Sequence, residues 1–225
     1  MKSFYRRNLP HYSDSGQRYF LTKCLKSTGY PYELEKEKQE LDLLRIEYQI
    51  IRNGNNPTSL RDELHNKYVK AKKLYQFHYD KYLEKETNSE INLCRDDIGC
   101  MIVNEIAGQE RKSVHTFALC VMRNHIHWVF TLLDTYSSSG DELSLPAYLR
   151  GLFARLSKGI NNMDGVTGRQ VWQRESFDTT VRDLEHLYRA VRYTLRNPVE
   201  AGLCAKASDW PFFLCDDDYA FCLNE

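Results

Sequence analysis

Two histidines separated by a single residue, His125 and His127, are the side chains of this chain best suited to metal chemistry. They open an apolar run at 125–133 that has the length and composition of a buried strand. Because side chains alternate between the two faces of a strand, both imidazoles project from one face, with Ile126 and Trp128 on the other. Imidazole is the most frequent side-chain ligand of divalent metals. The pair alone is a weak signal, since a reactive centre also needs a third ligand and a reacting group.

Both missing parts are available on a helix predicted at 183–196, with Asp183 as its N-cap and a proline just after its end. Tyr193 and Asn197 are four residues apart and share a helix face, and His186 lies on nearly the same stripe. A tyrosine beside a cation is a candidate nucleophile, and an amide oxygen can complete a metal shell. The spacing also allows a second interpretation, in which Tyr193 packs the helix and Asn197 caps its end.

Several short motifs accompany these residues along the chain. They are RRNLPH at 6–11, RYFLT at 18–22, MRNHIH at 122–127, WQRESFD at 172–178, VRD at 181–183, RYTLRNPVEAGL at 192–203 and DWP at 209–211. In type and order they resemble the motifs of REP-associated tyrosine transposases, relatives of the single-tyrosine HUH transposases of small insertion sequences. The resemblance covers about residues 5–30 and 90–212. Each motif alone is unspecific, whereas the set is quite specific.

The resemblance implies a role for each candidate residue. His125 and His127 would hold a divalent metal beneath the scissile phosphate, Tyr193 would attack the phosphorus, and Asn197 would join the metal shell. A metal on a nonbridging oxygen withdraws charge and fixes the phosphorus for in-line attack. Tyrosine attack would leave a 5′-phosphotyrosine and a free 3′-OH, so the strand can be rejoined without ATP. Imidazole and amide ligands suit Mn²⁺ as well as Mg²⁺, and either is expected as the cofactor.

Two features depart from the family pattern. Arg123 occupies a position that is often proline in relatives, which could loosen the turn before the metal strand or add a phosphate contact. A helical hairpin at 33–86 is long compared with the shorter family members, and the resemblance says nothing about its role.

The expected substrate is DNA that is single-stranded at the cut, because a phosphate inside a duplex cannot enter a pocket between a strand and a helix. Imperfect palindromes that form hairpins are the element that the resemblance implies. Residues 1–30 hold six basic and one acidic side chain, and residues 146–196 hold nine and five, which provides phosphate contacts. The single strand is expected at Arg6, Arg7, Arg18, Lys23 and Lys26, and the hairpin stem at Arg150, Arg155, Lys158, Arg169 and Arg174. Trp172, Phe177 and Tyr19 could stack on unpaired bases, although core packing is the favoured interpretation.

The elements that must position these residues indicate an α+β fold, a ferredoxin-like antiparallel sheet with packed helices and an inserted helical hairpin. Strands are predicted at 18–26, 115–122 and 125–133, and helices at 95–107, 145–161 and 183–196. The organisation expected is one HUH transposase-like domain over residues 1–225, in which 31–90 is the inserted hairpin and 212–225 an acidic surface tail. Tyrosines at helical spacing along the hairpin are more typical of packing than of base stacking.

Composition excludes several classes of protein. Of the 225 residues, 42% are hydrophobic, which is too many for a chain disordered throughout. No run approaches the roughly 18 apolar residues of a membrane span, so no membrane partner is expected. With no visible secretion signal and seven scattered cysteines without a C-x-x-C pair, a cytoplasmic protein with reduced thiols is expected. The balance of 31 basic and 31 acidic residues still permits local basic surfaces.

Two other functions remain open at this point. The chain could be a domesticated protein that binds hairpin DNA with little cleavage, or a metal-dependent phosphohydrolase in which water attacks and Tyr193 only packs. The sequence distinguishes neither a monomer from a homodimer nor a tyrosine acting in its own chain from one delivered by a partner.

Overall fold

The computed structural model describes residues 3–6, 10–13, 16–28, 31–85, 89–133, 144–174 and 176–224. The chain divides into two compact units. One consists of Met1–Ser27 and Asn88–Glu225, and the other of Thr28–Thr87.

The helices and strands follow one another in a mixed order. The strands are β1 (Ser3–Arg6), β2 (Pro10–Ser13), β3 (Arg18–Cys24), β4 (Val114–Val121), β5 (His125–Leu132), β6 (Phe177–Val181) and β7 (Phe213–Cys215). The α-helices are α1 (Glu35–Asn53), α2 (Thr58–Lys85), α3 (Asp96–Ala107), α4 (Leu145–Met163) and α5 (Leu184–Glu200). Each predicted element is present, with its bounds shifted by at most a few residues.

The larger unit is built on a five-stranded sheet in the order β6-β3-β5-β4-β7, and each neighbouring pair is antiparallel. Its core is the succession β3-α3-β4-β5-α4-β6, which is the ferredoxin-like arrangement of two βαβ halves. β7 extends the sheet beyond β4, and β1 pairs with β2 in a separate two-stranded sheet. The predicted α+β, ferredoxin-like fold is therefore confirmed.

Helices cover both faces of this sheet. α3 and α4 pack on the face that carries Leu21, Trp128 and Phe130, and α5 packs on the face that carries Phe20 and Val129. A strand covered on both sides has no solvent face, which explains why the β4 and β5 sequences are apolar almost without interruption. The alternation along β5 places His125 and His127 on the α5 side.

α5 runs one turn further than predicted, to Glu200, with Pro198 inside it. Asn197 is therefore an internal helix residue and not its C-terminal cap. A proline this near the end removes a single backbone hydrogen bond, and the last turn is closed by other bonds. The Leu203 N–H donates to the Pro198 carbonyl at 2.8 Å, and Gly202, at φ 69°, makes the left-handed turn that ends the helix.

The C-terminal segment 212–225 differs from the acidic surface tail that the sequence indicated. β7 pairs with β4, Phe212 is buried in the main core, and Cys222 is buried beneath α5. The acidic residues are interspersed with apolar side chains that cover the edge of the sheet, and segment charge alone does not reveal these contacts.

Gly99 of α3 provides a test of this docking. A Cβ at Gly99 would lie 2.5 Å from the ring of Phe212, a buried side chain with little room to shift. We expect Gly99→Ala to lower the free energy of unfolding by roughly 1–3 kcal/mol through overpacking, despite the better helix propensity of alanine. Gly151→Ala in α4 is the matched control, because its Cβ would meet only Arg155 Nη1 at 3.6 Å. Urea unfolding that showed both variants equally stable would contradict this packing.

The smaller unit is the predicted helical hairpin, α1 and α2. Tyr68, Tyr75 and Tyr79 of α2 are buried, and Tyr48 of α1 stacks on Tyr68 with ring centroids 6.1 Å apart. The tyrosine stripe thus contributes to packing. None of the helices in the described ranges is both long and apolar enough to traverse a lipid bilayer.

Candidate metal and nucleophile site

The two histidines of β5 form a buried pair. His125 and His127 are 1% and 0% exposed, and their Nε2 atoms are 3.0 Å apart. Two nitrogen lone pairs this close repel each other unless a proton or a cation lies between them. An ion about 2.1 Å from each nitrogen would contact both, and that is the usual metal–imidazole distance.

Neighbouring polar side chains hold the other nitrogen of each ring. His125 Nδ1 is 2.7 Å from Asn124 Oδ1 and His127 Nδ1 is 2.9 Å from Thr22 Oγ1. An amide oxygen only accepts, so His125 carries its proton on Nδ1 and keeps the Nε2 lone pair. A hydroxyl can donate or accept, so Thr22 accommodates either tautomer of His127. Hydrogen bonds of this kind orient metal-binding imidazoles and increase their basicity.

Both imidazoles are neutral at physiological pH. Burial lowers the pKa of His125 to about 3. Burial also holds the pKa of His127 well below its usual range, and the neighbouring His125 lowers it further. Neutral imidazole is the form that binds a metal ion, so the pair is ready for a cation without first losing a proton.

Asn197 presents an unusual side chain on α5. It is 1% exposed, yet neither its Oδ1 nor its Nδ2 has a hydrogen-bond partner in the described structure. A buried polar atom left unpaired costs roughly 1–3 kcal/mol, and such exceptions often have a functional reason. An amide oxygen that accepts no hydrogen bond is free to bind a cation.

Tyr193 lies against the histidine pair within the same chain. Its ring centroid is 5.3 Å from that of His127, with the planes at 70°. Phe20 of β3 contacts both rings, stacking on His127 at 5.7 Å and meeting Tyr193 edge-on at 5.8 Å. The helix that carries Tyr193 is fixed at its start by Asp183, whose carboxylate accepts from the His186 N–H at 2.7 Å. The third candidate from the helix stripe, His186, interacts near this cap, where its Nδ1 accepts from the Arg182 N–H.

These residues fit a divalent metal with open coordination positions. The described part of the chain contains no cluster of three or more His, Cys, Asp or Glu side chains that could enclose an ion. Two neutral imidazoles and one amide oxygen would leave room for water or a phosphate oxygen, as catalytic sites require. The donor set lacks thiolate, which disfavours the soft metals.

Thr22 offers a test of the outer hydrogen bond. We expect Thr22→Val, which keeps the side-chain shape but removes the hydroxyl, to weaken Mn²⁺ binding roughly 10–100-fold, as loss of such outer partners does elsewhere. Calorimetric titration with MnCl₂ measures the affinity. Thr131→Val is the control, because Thr131 lies on β5 with His127 but donates its hydrogen bond to the Gln17 carbonyl. Equal affinities for wild type and Thr22→Val would show that Thr22 does not position His127.

The unpaired amide of Asn197 predicts opposite effects on stability and binding. We expect Asn197→Leu to raise the free energy of unfolding of the metal-free protein by about 1 kcal/mol or more, because two unsatisfied buried atoms are removed. The same variant should bind Mn²⁺ more weakly. Thr194→Val is the comparison, since Thr194 Oγ1 is also buried without a partner. It should be stabilising without affecting Mn²⁺ affinity, and a destabilised Asn197→Leu would contradict the interpretation.

The predicted DNA-binding residues have varied surroundings. Arg6 lies in β1, and Arg7 lies outside the described residues. The Arg18 guanidinium is over the Phe117 ring, and the exposed Arg155 pairs with Glu105 at 2.7 Å. Lys23 is 6% exposed and donates to the Gln173 carbonyl at 2.6 Å, so its charge is inside the protein and not on the surface that the sequence indicated. Besides Arg155, four residues of the set have exposed side chains: Lys26, Arg150, Lys158 and Arg174. Arg169, also expected at the stem, is half-buried and pairs with Asp164.

Sequence reasoning missed Thr22, Asn124 and Phe20. Thr22 pairs with His127 across the β3–β5 ladder, a register that no single-sequence pattern reveals. Asn124 could have been found from the sequence, because a polar residue directly before a buried histidine is a usable signal for an outer partner.

The chain is similar in sequence to a curated protein that carries a transposase name. In sequence, the chain is 28% identical over 108 residues to a protein of Haemophilus influenzae (strain ATCC 51907 / DSM 11121 / KW20 / Rd) described as "Putative REP-associated tyrosine transposase". The match covers 46% of this chain and 60% of that relative's length. It confirms the resemblance that the motifs indicated.

A solved structure, that of a REP-associated tyrosine transposase bound to a REP hairpin, also aligns with this chain. The identity is 18%, the alignment covers 94% of this chain and 81% of that one, and the TM-score is 0.40. Comparison with models of protein families finds none that matches.

Proposed function

We propose that this protein is a metal-dependent enzyme that cleaves and rejoins single-stranded DNA at hairpin-forming elements through a 5′-phosphotyrosine at Tyr193. The observation that carries the proposal is the meeting of β5 and α5. A neutral imidazole pair with facing Nε2 atoms lies within ring contact of a tyrosine, and an unpaired amide follows one helical turn later.

The chain's own residues divide the chemistry between them. Mg²⁺ or Mn²⁺, held by His125, His127 and Asn197, would withdraw charge from the nonbridging oxygens of the scissile phosphate. The Tyr193 Oη attacks the phosphorus and forms the new P–O bond, while the bond from phosphorus to the 3′ oxygen breaks. The phenolic proton passes to solvent, and the leaving 3′ oxygen takes up one proton to become a hydroxyl.

Rejoining is the same step in reverse. A 3′-OH of another strand attacks the phosphotyrosine, and Tyr193 regains its proton. Since one phosphodiester is exchanged for another, no energy source is required. Hydrolysis would discard this bond, so a site that excludes water from the phosphotyrosine favours strand transfer over release. Burial of both histidines, with Phe20 packed against His127 and against Tyr193, is consistent with such a site.

The choice of DNA rests on sequence similarity and charge. The curated relative is described as a REP-associated tyrosine transposase, and the motifs that resemble this family run through both basic segments. The exposed cations Lys26, Arg150, Lys158 and Arg174 are suited to phosphate contacts with a strand or a hairpin stem. The proposal leaves both a monomer and a homodimer possible.

Labelled hairpin DNA tests this function. The protein is incubated with Mn²⁺ and a hairpin oligonucleotide that has single-stranded flanks, labelled in one sample at its 5′ end and in the other at its 3′ end. We expect the label to migrate with the denatured protein only in the 3′-labelled sample, because the protein would be joined to the 5′ phosphate of the break. Free ends on both fragments would indicate a phosphohydrolase, and binding without a break would indicate a hairpin-binding protein.

A further inference from the structure

A pocket of about 280 Å³ lies on the opposite face of the sheet from the histidine pair. Its walls are the first half of α4 together with residues 170–174 and Ser176, which precede β6, and Lys23 of β3 reaches it from the sheet. Lys23 follows Thr22 directly, so one strand places its hydroxyl toward the metal site and its ammonium toward the pocket. A volume near the lower end of the usual range for small-ligand sites suits one nucleotide better than a length of strand.

Hydrogen bonds attach one wall of the pocket to β3 and to Lys26 just after it. The Gln173 N–H donates to the Cys24 carbonyl at 2.9 Å, and the Lys26 N–H donates to the Val171 carbonyl at 2.8 Å. Lys23 Nζ donates to the Gln173 carbonyl at 2.6 Å and to the Arg174 carbonyl at 3.4 Å. Residues 171–174 are thereby fastened to the end of the strand, and the pocket is preformed.

The charged side chains among the described lining residues of the pocket all have the same sign. They are Lys23, Arg150 and Arg174, and none of the lining residues in the described chain is acidic. Within the described residues, neither the Arg150 nor the Arg174 side chain makes an ion pair, in contrast to Arg155 on the same helix, which pairs with Glu105. Unpaired guanidinium groups at a cavity mouth favour an anion such as phosphate.

The remaining wall is apolar and aromatic. Phe153 and Trp172 meet edge to face with centroids 5.2 Å apart, and Lys23 Nζ lies 5.3 Å from the Phe153 ring centroid. Trp172 is 5% exposed, and its indole N–H is buried without an acceptor in the described structure. Aromatic rings beside cations are the combination that holds unpaired bases and their phosphates.

We propose that this pocket binds one unpaired nucleotide of the DNA substrate. The base would lie against Phe153 and Trp172, and the adjoining phosphates would contact Arg150 and Arg174. The inference rests on the proposed function for the identity of the strand, but it is independent of cleavage. It assigns Arg150 and Arg174 to an unpaired nucleotide beside the hairpin, whereas the sequence alone indicated the stem.

Single abasic substitutions test this assignment. Fluorescence anisotropy measures binding of the hairpin oligonucleotide with single-stranded flanks, in EDTA so that no cleavage occurs, with each flank base removed in turn. We expect one position at which loss of the base weakens binding to the wild type roughly tenfold. The double variant Arg150→Gln/Arg174→Gln should bind the intact DNA more weakly and should have lost the sensitivity to that position. Both changes are at exposed side chains and preserve the core.

Lys206→Gln is the control, because Lys206 is exposed and does not line the pocket. It should retain the abasic sensitivity of the wild type. The proposal is overturned if no flank base matters, or if the double variant remains as sensitive as the wild type. It is also overturned if free deoxynucleoside monophosphates bind at micromolar concentration while the flank bases have no effect, since the pocket would then serve a free nucleotide. If binding depends on one flank base but no covalent adduct forms, the pocket proposal is supported and the cleavage proposal is refuted. If an adduct forms but no flank base affects binding, cleavage is supported and the pocket proposal is refuted.

Discussion

Tyr193→Phe is expected to abolish the covalent protein–DNA adduct and to lower strand cleavage by roughly a thousandfold or more, the scale on which removal of a nucleophile acts. The phenyl ring can keep its packing against Phe20 and His127, since both contacts are made by the ring. Hairpin affinity and the free energy of unfolding should therefore stay near their wild-type values. Denaturing gels of the labelled hairpin measure the adduct, and anisotropy measures the affinity.

Tyr188→Phe is the matched control on the same helix. Tyr188 stacks on Phe221, with centroids 6.1 Å apart, and lies away from the histidine contact. This variant should form the adduct at the wild-type rate. Cleavage that persists in Tyr193→Phe would assign the attack to water and make the protein a phosphohydrolase.

His125→Ala is expected to have the second largest effect, a loss of cleavage of roughly a hundredfold or more with no measurable Mn²⁺ binding. The substitution removes one of two imidazoles that share an ion, and the remaining imidazole with one amide is a weak ligand set. EDTA should reduce the wild type to the same residual rate, and excess Mn²⁺ should restore the wild type but not the variant.

His115→Ala separates this effect from the general loss of a histidine. The ring nitrogens of His115 on β4 contact the carboxylates of Glu110 and Asp216, each at 2.9 Å, and His115 takes no part in the candidate site. It should cleave with the wild-type dependence on Mn²⁺. An EDTA-resistant wild type, or a His125→Ala variant that is fully active, would remove the metal from the mechanism.

The local part of this structure was predictable from the sequence because it depends on short-range periodicity. Alternation along 125–132 placed both histidines on one face, and the four-residue spacing placed Tyr193 and Asn197 on one side of α5. The order of helical and strand-like segments, with the family resemblance, was enough for the ferredoxin-like sheet.

The remainder depends on contacts between distant segments. Thr22 reaches His127 only through the β3–β5 register, and the burial of Lys23 depends on the carbonyls of 173–174. The C-terminal segment appeared acidic and exposed, yet Phe213–Cys215 completes the sheet. The proline at 198 led to a predicted helix end at Arg196, whereas the bonds around Gly202 carry α5 one turn further.

The most direct measurement identifies the residue that is joined to the DNA. The adduct formed with hairpin DNA and Mn²⁺ is digested with nuclease and trypsin, and the peptides are analysed by mass spectrometry. Cleavage after Arg192 and Arg196 releases a peptide whose only tyrosine is Tyr193. We expect the mass of a nucleotide on this peptide. A nucleotide attached to a different residue would contradict the account, as would cleaved DNA with no modified peptide.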